Sequence, residues 1–246
     1  IDAENQVKIS PKISGNTFKD ISIISNLLTF KLNNNIDQLS FDNNTFLNFN
    51  INTYYGGIGL DINHESNDIS FLLSFNDCFF ININNLEKQQ QGGAISCSNA
   101  INRGNVELSI TDCFFSQNHN EGKGCAIYVN IQHSVTIEKC TLSDNYGSGK
   151  GSIYIDPDNS NSPASLILIS ECIFKQNKVN ECSSIYIASG STKTVLIDSC
   201  NFEEEKGSIV FNNFKNTFEI KSCKFHNILD SSALIINHPE DSLTDS

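Results

Sequence analysis

One eight-residue pattern recurs along this 246-residue chain and limits what it can fold into. It runs apolar, polar, apolar, two polar residues, Cys, any residue, then Phe or Leu. The copies are Leu73-Ser-Phe75-Asn-Asp-Cys78-Phe-Phe80, Leu108-Ser-Ile110-Thr-Asp-Cys113-Phe-Phe115 and Val135-Thr-Ile137-Glu-Lys-Cys140-Thr-Leu142. They continue as Ile167-Leu-Ile169-Ser-Glu-Cys172-Ile-Phe174, Val195-Leu-Ile197-Asp-Ser-Cys200-Asn-Phe202 and Phe218-Glu-Ile220-Lys-Ser-Cys223-Lys-Phe225. With Asn at the Cys position, Leu39-Ser-Phe41-Asp-Asn-Asn44-Thr-Phe46 and the shorter Ile13-Ser-Gly-Asn16-Thr-Phe18 bring the number of copies to eight. A period of 20–50 residues is the mark of a repeat architecture.

A second strand-like segment separates the copies: Gly93-Ala-Ile95-Ser-Cys97, Cys125-Ala-Ile127-Tyr-Val129, Gly151-Ser-Ile153-Tyr-Ile155 and Ser183-Ser-Ile185-Tyr-Ile187. Gly207-Ser-Ile209-Val-Phe211 and Ser232-Ala-Leu234-Ile-Ile236 follow. All these segments alternate with period two, and turns rich in Asn, Gly, Ser and Asp break them. No stretch has a helical period. One unit of two or three short strands cannot bury its apolar face alone, but stacked units can, each strand pairing with its counterpart about 4.8 Å away. The expected fold is therefore all-β: a right-handed, single-stranded parallel β-helix (β-solenoid) of about eight coils, with residues 1–246 as one domain. Loops over 85–91 and 156–163 absorb the unequal repeat lengths.

Stacking turns repeat positions into columns. Phe18, Phe46, Phe80, Phe115, Leu142, Phe174, Phe202 and Phe225 should form an interior column, with Ile13, Phe41, Phe75, Ile110, Ile137, Ile169, Ile197 and Ile220 beside it. Burial of each is worth roughly 1.5–3 kcal/mol. Cys78, Cys113, Cys140, Cys172, Cys200 and Cys223 should form a third column. They lack the CxxC or Cys/His spacing of a metal site. Side chains in a parallel stack point the same way, which disfavours a disulfide, so buried reduced thiols are expected. Cys97, Cys125 and Cys182 lie on the other strand, where pairing with one another or with the column stays open.

Gly92-Gly93-Ala94-Ile95 followed by Phe115-Ser-Gln-Asn118, with Phe174-Lys-Gln-Asn177 as a second FxxN, resembles the GGAI and FxxN repeats of the chlamydial polymorphic membrane proteins. The wider class it resembles is the pectate-lyase-like right-handed β-helices, including repeat-rich surface proteins of protists. The resemblance covers roughly residues 36–237. It implies a β-helix with a surface or adhesive role.

The remaining candidate chemistry is sparse. Asn118, Asn145 and Asn177 fall five residues after a ladder cysteine and read as a structural corner column. Tyr128, Tyr154 and Tyr186 take the phase opposite to the buried isoleucines, so they are expected to stand outward as an exposed aromatic stripe for a partner or glycan. Asp156-Pro-Asp158 reads as a turn and Glu203-Glu204-Glu205 as a charged loop, rather than as calcium ligands. Asn43-Asn44-Thr45 is an N-glycosylation sequon with Asn43 as acceptor. The acids are scattered and the five histidines share no repeat position, so no catalytic cluster emerges.

Net charge bounds the partners. There are 16 basic residues, one of them arginine (Arg103), and the formal net charge is −12. A phosphate-binding surface needs clustered Lys and Arg, so nucleic acid is excluded. No apolar run reaches the length of a membrane span, so no insertion by this segment is expected. No cofactor or metal is expected. The leading expectation is a non-catalytic structural or adhesive module, extracellular or at a cell surface. It would be a segment of a larger protein ending in an acidic tail (238–246), and would assemble end to end or laterally with itself or a larger chain. The alternatives are a carbohydrate-active β-helix enzyme (polysaccharide lyase or glycoside hydrolase) and a glycan-binding module.

Overall fold

The computed structural model describes residues 10–23, 28–29, 37–51, 58–61, 70–85, 91–98, 105–130, 134–156, 166–188, 194–212, 217–229 and 232–237. Among them it is all strand, in three sheets in which every pairing is parallel. Sheet I has eight strands, from Lys12–Ser14 to Phe218–Lys221. Sheet II has eleven, from Thr17–Ile23 to Lys224–His226, including the short strands His119–Asn120, Tyr146–Gly147 and Lys178–Val179. Sheet III has eight, from Leu28–Thr29 to Leu234–Asn237. Each strand pairs with its counterpart one repeat away, an arrangement compatible with a parallel β-solenoid.

Register brings like residues together. Phe18, Phe46, Phe80, Phe115, Leu142, Phe174, Phe202 and Phe225 are paired in succession through sheet II. Their rings stack at 4.8–5.0 Å wherever two Phe are adjacent, as between Phe80 and Phe115 at 4.8 Å. Offset stacking adds to the apolar burial. Leu142 interrupts the rings between Phe115 and Phe174. In sheet I, Ile13, Phe41, Phe75, Ile110, Ile137, Ile169, Ile197 and Ile220 are likewise in succession. Both columns belong to one apolar core, completed by Ile95, Ile127, Ile153, Ile185 and Ile209 of sheet III.

Two corners bend each repeat through left-handed backbone. The first corner holds Gly15, Asn43, Asp77, Asp112, Lys139, Glu171, Ser199 and Ser222, with φ from 51° to 68°. The second holds Asp20, Asn48, Asn82, Gln117, Asp144, Gln176, Glu204 and Asn227, with φ from 51° to 58°. A non-glycine residue there costs about 1–2 kcal/mol. Cross-layer backbone bonds offset the cost: Lys139 N–H donates to Ser170 O (3.0 Å), and Gln176 N–H to Glu203 O (3.0 Å).

The residue after the first corner is Asn or Cys for a common reason. Asn44 donates Nδ2–H to Ile13 O at 2.8 Å and to Asp42 O at 3.1 Å. Cys78 Sγ faces the equivalent oxygens, Phe41 O at 3.4 Å and Asn76 O at 3.3 Å. Cys140, Cys172 and Cys200 repeat the contact. All nine cysteines are free thiols, eight buried and Cys223 half-buried. Burial pushes Cys97, Cys125 and Cys182 up to about 12.

Candidate functional site

Five residues past the ladder cysteine, the chain turns inward a polar side chain. Asn118, Asn145 and Asn177 are buried and form an amide ladder. Asn118 donates through its backbone N–H and Nδ2–H to Asn145 Oδ1, both at 3.0 Å. Asn145 does the same to Asn177 Oδ1, at 3.1 and 3.0 Å. Each Nδ2 also donates one layer back, to Phe80 O, Phe115 O and Leu142 O. Every amide group is satisfied, which a buried polar column requires.

The ladder ends on Glu205, which is fully buried. Its Oε1 accepts from Asn177 N–H (3.1 Å) and Nδ2–H (2.9 Å), and its Oε2 accepts from Ser184 Oγ–H (2.7 Å). Burial outweighs these donors and raises its pKa to about 7. Reading Glu203-Glu204-Glu205 as a charged loop is therefore wrong at Glu205. Its signal was its position, five residues after Cys200, the phase of the ladder asparagines.

Tyr128, Tyr154 and Tyr186 also need correction. They lie outside the main core, on the side of sheet III opposite its isoleucines, but they are only 1%, 4% and 4% exposed. Tyr154 stacks on Tyr128 at 5.8 Å and on Tyr186 at 5.2 Å. Lys123 Nζ lies 4.9 Å over the Tyr154 ring and Lys150 Nζ 5.0 Å over that of Tyr186. Salt bridges to Asp156 (3.4 Å) and Glu181 (3.1 Å) hold these lysines. With Cys182, Ala188 and Val210 the tyrosines form a second small core. Period two assigns a side chain to a face, and what lies over that face decides exposure. Burial, with the Asp156 carboxylate nearby, pushes the Tyr154 phenol up.

The exposed aromatic site lies elsewhere. Asn84, His119, Tyr146 and Lys178, each six residues past a ladder cysteine, share one outward register on sheet II. His119, Tyr146 and Lys178 floor an open groove of about 640 Å³. Asp144 and Gln176, from the second corner, line one side, and Glu121, Ser148 and Asn180 line the other. The Tyr146 ring stacks on His119 (centroids 4.6 Å apart) and its hydroxyl donates to Asn84 Oδ1 at 3.4 Å. Glu121 Oε1 is 2.7 Å from His119 Nε2, and Ser148 Oγ–H donates to Glu121 Oε2. Gln176 donates to Glu204. A Cβ on Gly147 would meet Asn120 O at 1.9 Å, so only glycine fits beside Tyr146.

Of the other candidates, Asn43 is exposed at the first corner with φ 51°. Asp158, Arg103, His64, His133, His238 and the tail 238–246 lie outside the described residues. Among the described residues no group of three or more His, Cys, Asp or Glu could hold a metal ion, and no helix is long and apolar enough to cross a membrane. Compared with protein-family models, with curated proteins and with solved structures, the chain matches none.

Proposed function

We propose that the chain is a right-handed parallel β-helix of about eight coils, acting as a non-catalytic structural or adhesive module of a cell-surface or extracellular assembly. Its partner is protein, another such stack meeting it end to end. One observation carries the reading: the interior columns run undiminished into the last described layer and stay partly open there. Leu234 and Ile236, in register with buried Ile209 and Phe211, are each 37% exposed, while Phe225 and Ile220 are only half-buried. The strands Phe218–Lys221, Lys224–His226 and Leu234–Asn237 end their sheets and pair on one side only among the described residues. Open edges with apolar faces attract further strands. Eight of the nine thiols are buried, which keeps oxidants from them and makes their reduced state compatible with an oxidising exterior.

Sedimentation of the 246-residue chain tests the reading. Association should grow with concentration, and Leu234→Lys with Ile236→Lys should abolish it while leaving the circular dichroism spectrum unchanged. A wild-type chain that stays monomeric up to its solubility limit would refute it.

A further inference from the structure

We propose that the groove floored by His119, Tyr146 and Lys178 binds a neutral oligosaccharide. This concerns the flank of the stack and stands independently of the assembly reading, which concerns its end.

The argument starts from the ring. Tyr146 is 42% exposed, although an aromatic side chain in a sheet is normally covered. His119 covers one face and Lys178 stands in register one layer beyond the other, so the exposed part of the ring opens into the groove beside Lys178. An exposed aromatic ring stacks on the apolar C–H face of a sugar ring. Beside it, Glu121, Ser148 and Gln176 are held in place by His119, one another and Glu204. By contrast Asp144, Lys178 and Asn180 make no side-chain hydrogen bond or ion pair among the described residues. A carboxylate, an ammonium and an amide thus stand unpaired around one aromatic ring. Hydroxyl groups both donate and accept, so a polyol can satisfy all three at once.

The groove crosses three successive repeats, so its occupant is elongated along the stack. At about 640 Å³ its volume lies in the ordinary range for ligand sites of roughly 300–1,000 Å³. Charge selects among sugars. Glu121 and Asp144 face the groove against Lys178, and the chain carries −12 overall, so a polyuronate is repelled. The same charge disfavours a nucleic acid strand, whose bases would otherwise suit an exposed ring.

Isothermal titration of the 246-residue chain with cellohexaose, chitohexaose, laminarihexaose, mannohexaose and hexagalacturonate tests this. At least one neutral hexasaccharide should bind. Tyr146→Ala should weaken that binding at least tenfold, Tyr146→Phe should retain it, and Asp144→Asn should weaken it severalfold. Phe79→Ser, on the same sheet but outside the groove, should leave it unchanged. Hexagalacturonate should not bind. No heat with any neutral hexasaccharide at millimolar concentration would overturn the proposal. So would binding indifferent to Tyr146→Ala, or a preference for hexagalacturonate.

Discussion

Replacing Glu205 with Gln should stabilise the protein at pH 8 and leave it nearly unchanged at pH 4.5. The carboxyl is fully buried at the end of the amide ladder, and its pKa rises from the ordinary 4.5 to about 7. The folded state therefore holds this proton more tightly than the unfolded state. Between the two values the folded protein binds more protons, so this group's contribution falls as pH rises. The contribution is whole below pH 4.5 and lost above about pH 7. At 1.36 kcal/mol per unit, the difference is about 3 kcal/mol. Gln reproduces the protonated form. Its Oε1 keeps the bonds from Asn177, and its Nε2 faces Ser184 Oγ, which can accept as well as donate. The assay is urea unfolding of both proteins from pH 4.5 to 8, read as their difference so that other titrations cancel. The gap should open across the window and level off. A gap that does not vary with pH, or a Gln variant weaker at pH 8, would show that three donors compensate the buried charge after all.

Three further outcomes follow from the columns. Phe80→Ala removes a ring stacked on both Phe46 and Phe115 and should cost about 3–5 kcal/mol in the same unfolding assay. Cys78→Asn should cost less than about 1 kcal/mol, because Asn44 already makes the equivalent corner contacts one layer away; a loss of several kcal/mol would break the equivalence. With a thiol-specific reagent in native buffer, Cys223 should react first and the eight buried thiols only on unfolding. Uniform rapid labelling would contradict the burial.

Much of the architecture was legible before any coordinates. The Phe and Ile columns depend on two local regularities, alternation within a strand and a fixed phase between corner and strand. Both are written in every repeat. The corner residues were visible as Asn, Asp, Gly and Ser, yet Lys139 and Glu171 occupy the same left-handed backbone. Cross-layer bonding, not residue preference, holds them there. The groove left almost no trace, because Asn84, His119, Tyr146 and Lys178 share only an offset of six from a ladder cysteine and no chemical type.

By itself the sequence determined which residues share a column and which face each one takes, since phase and period are local and repeat from unit to unit. Only the tertiary structure decided what reaches water. Tyr128, Tyr154 and Tyr186 face outward and are covered, while Tyr146 faces outward and is open. Glu205 stands in an acidic run and is sealed inside. Exposure depends on which neighbouring layers and turns pass over a face, and those contacts join residues that no local pattern links.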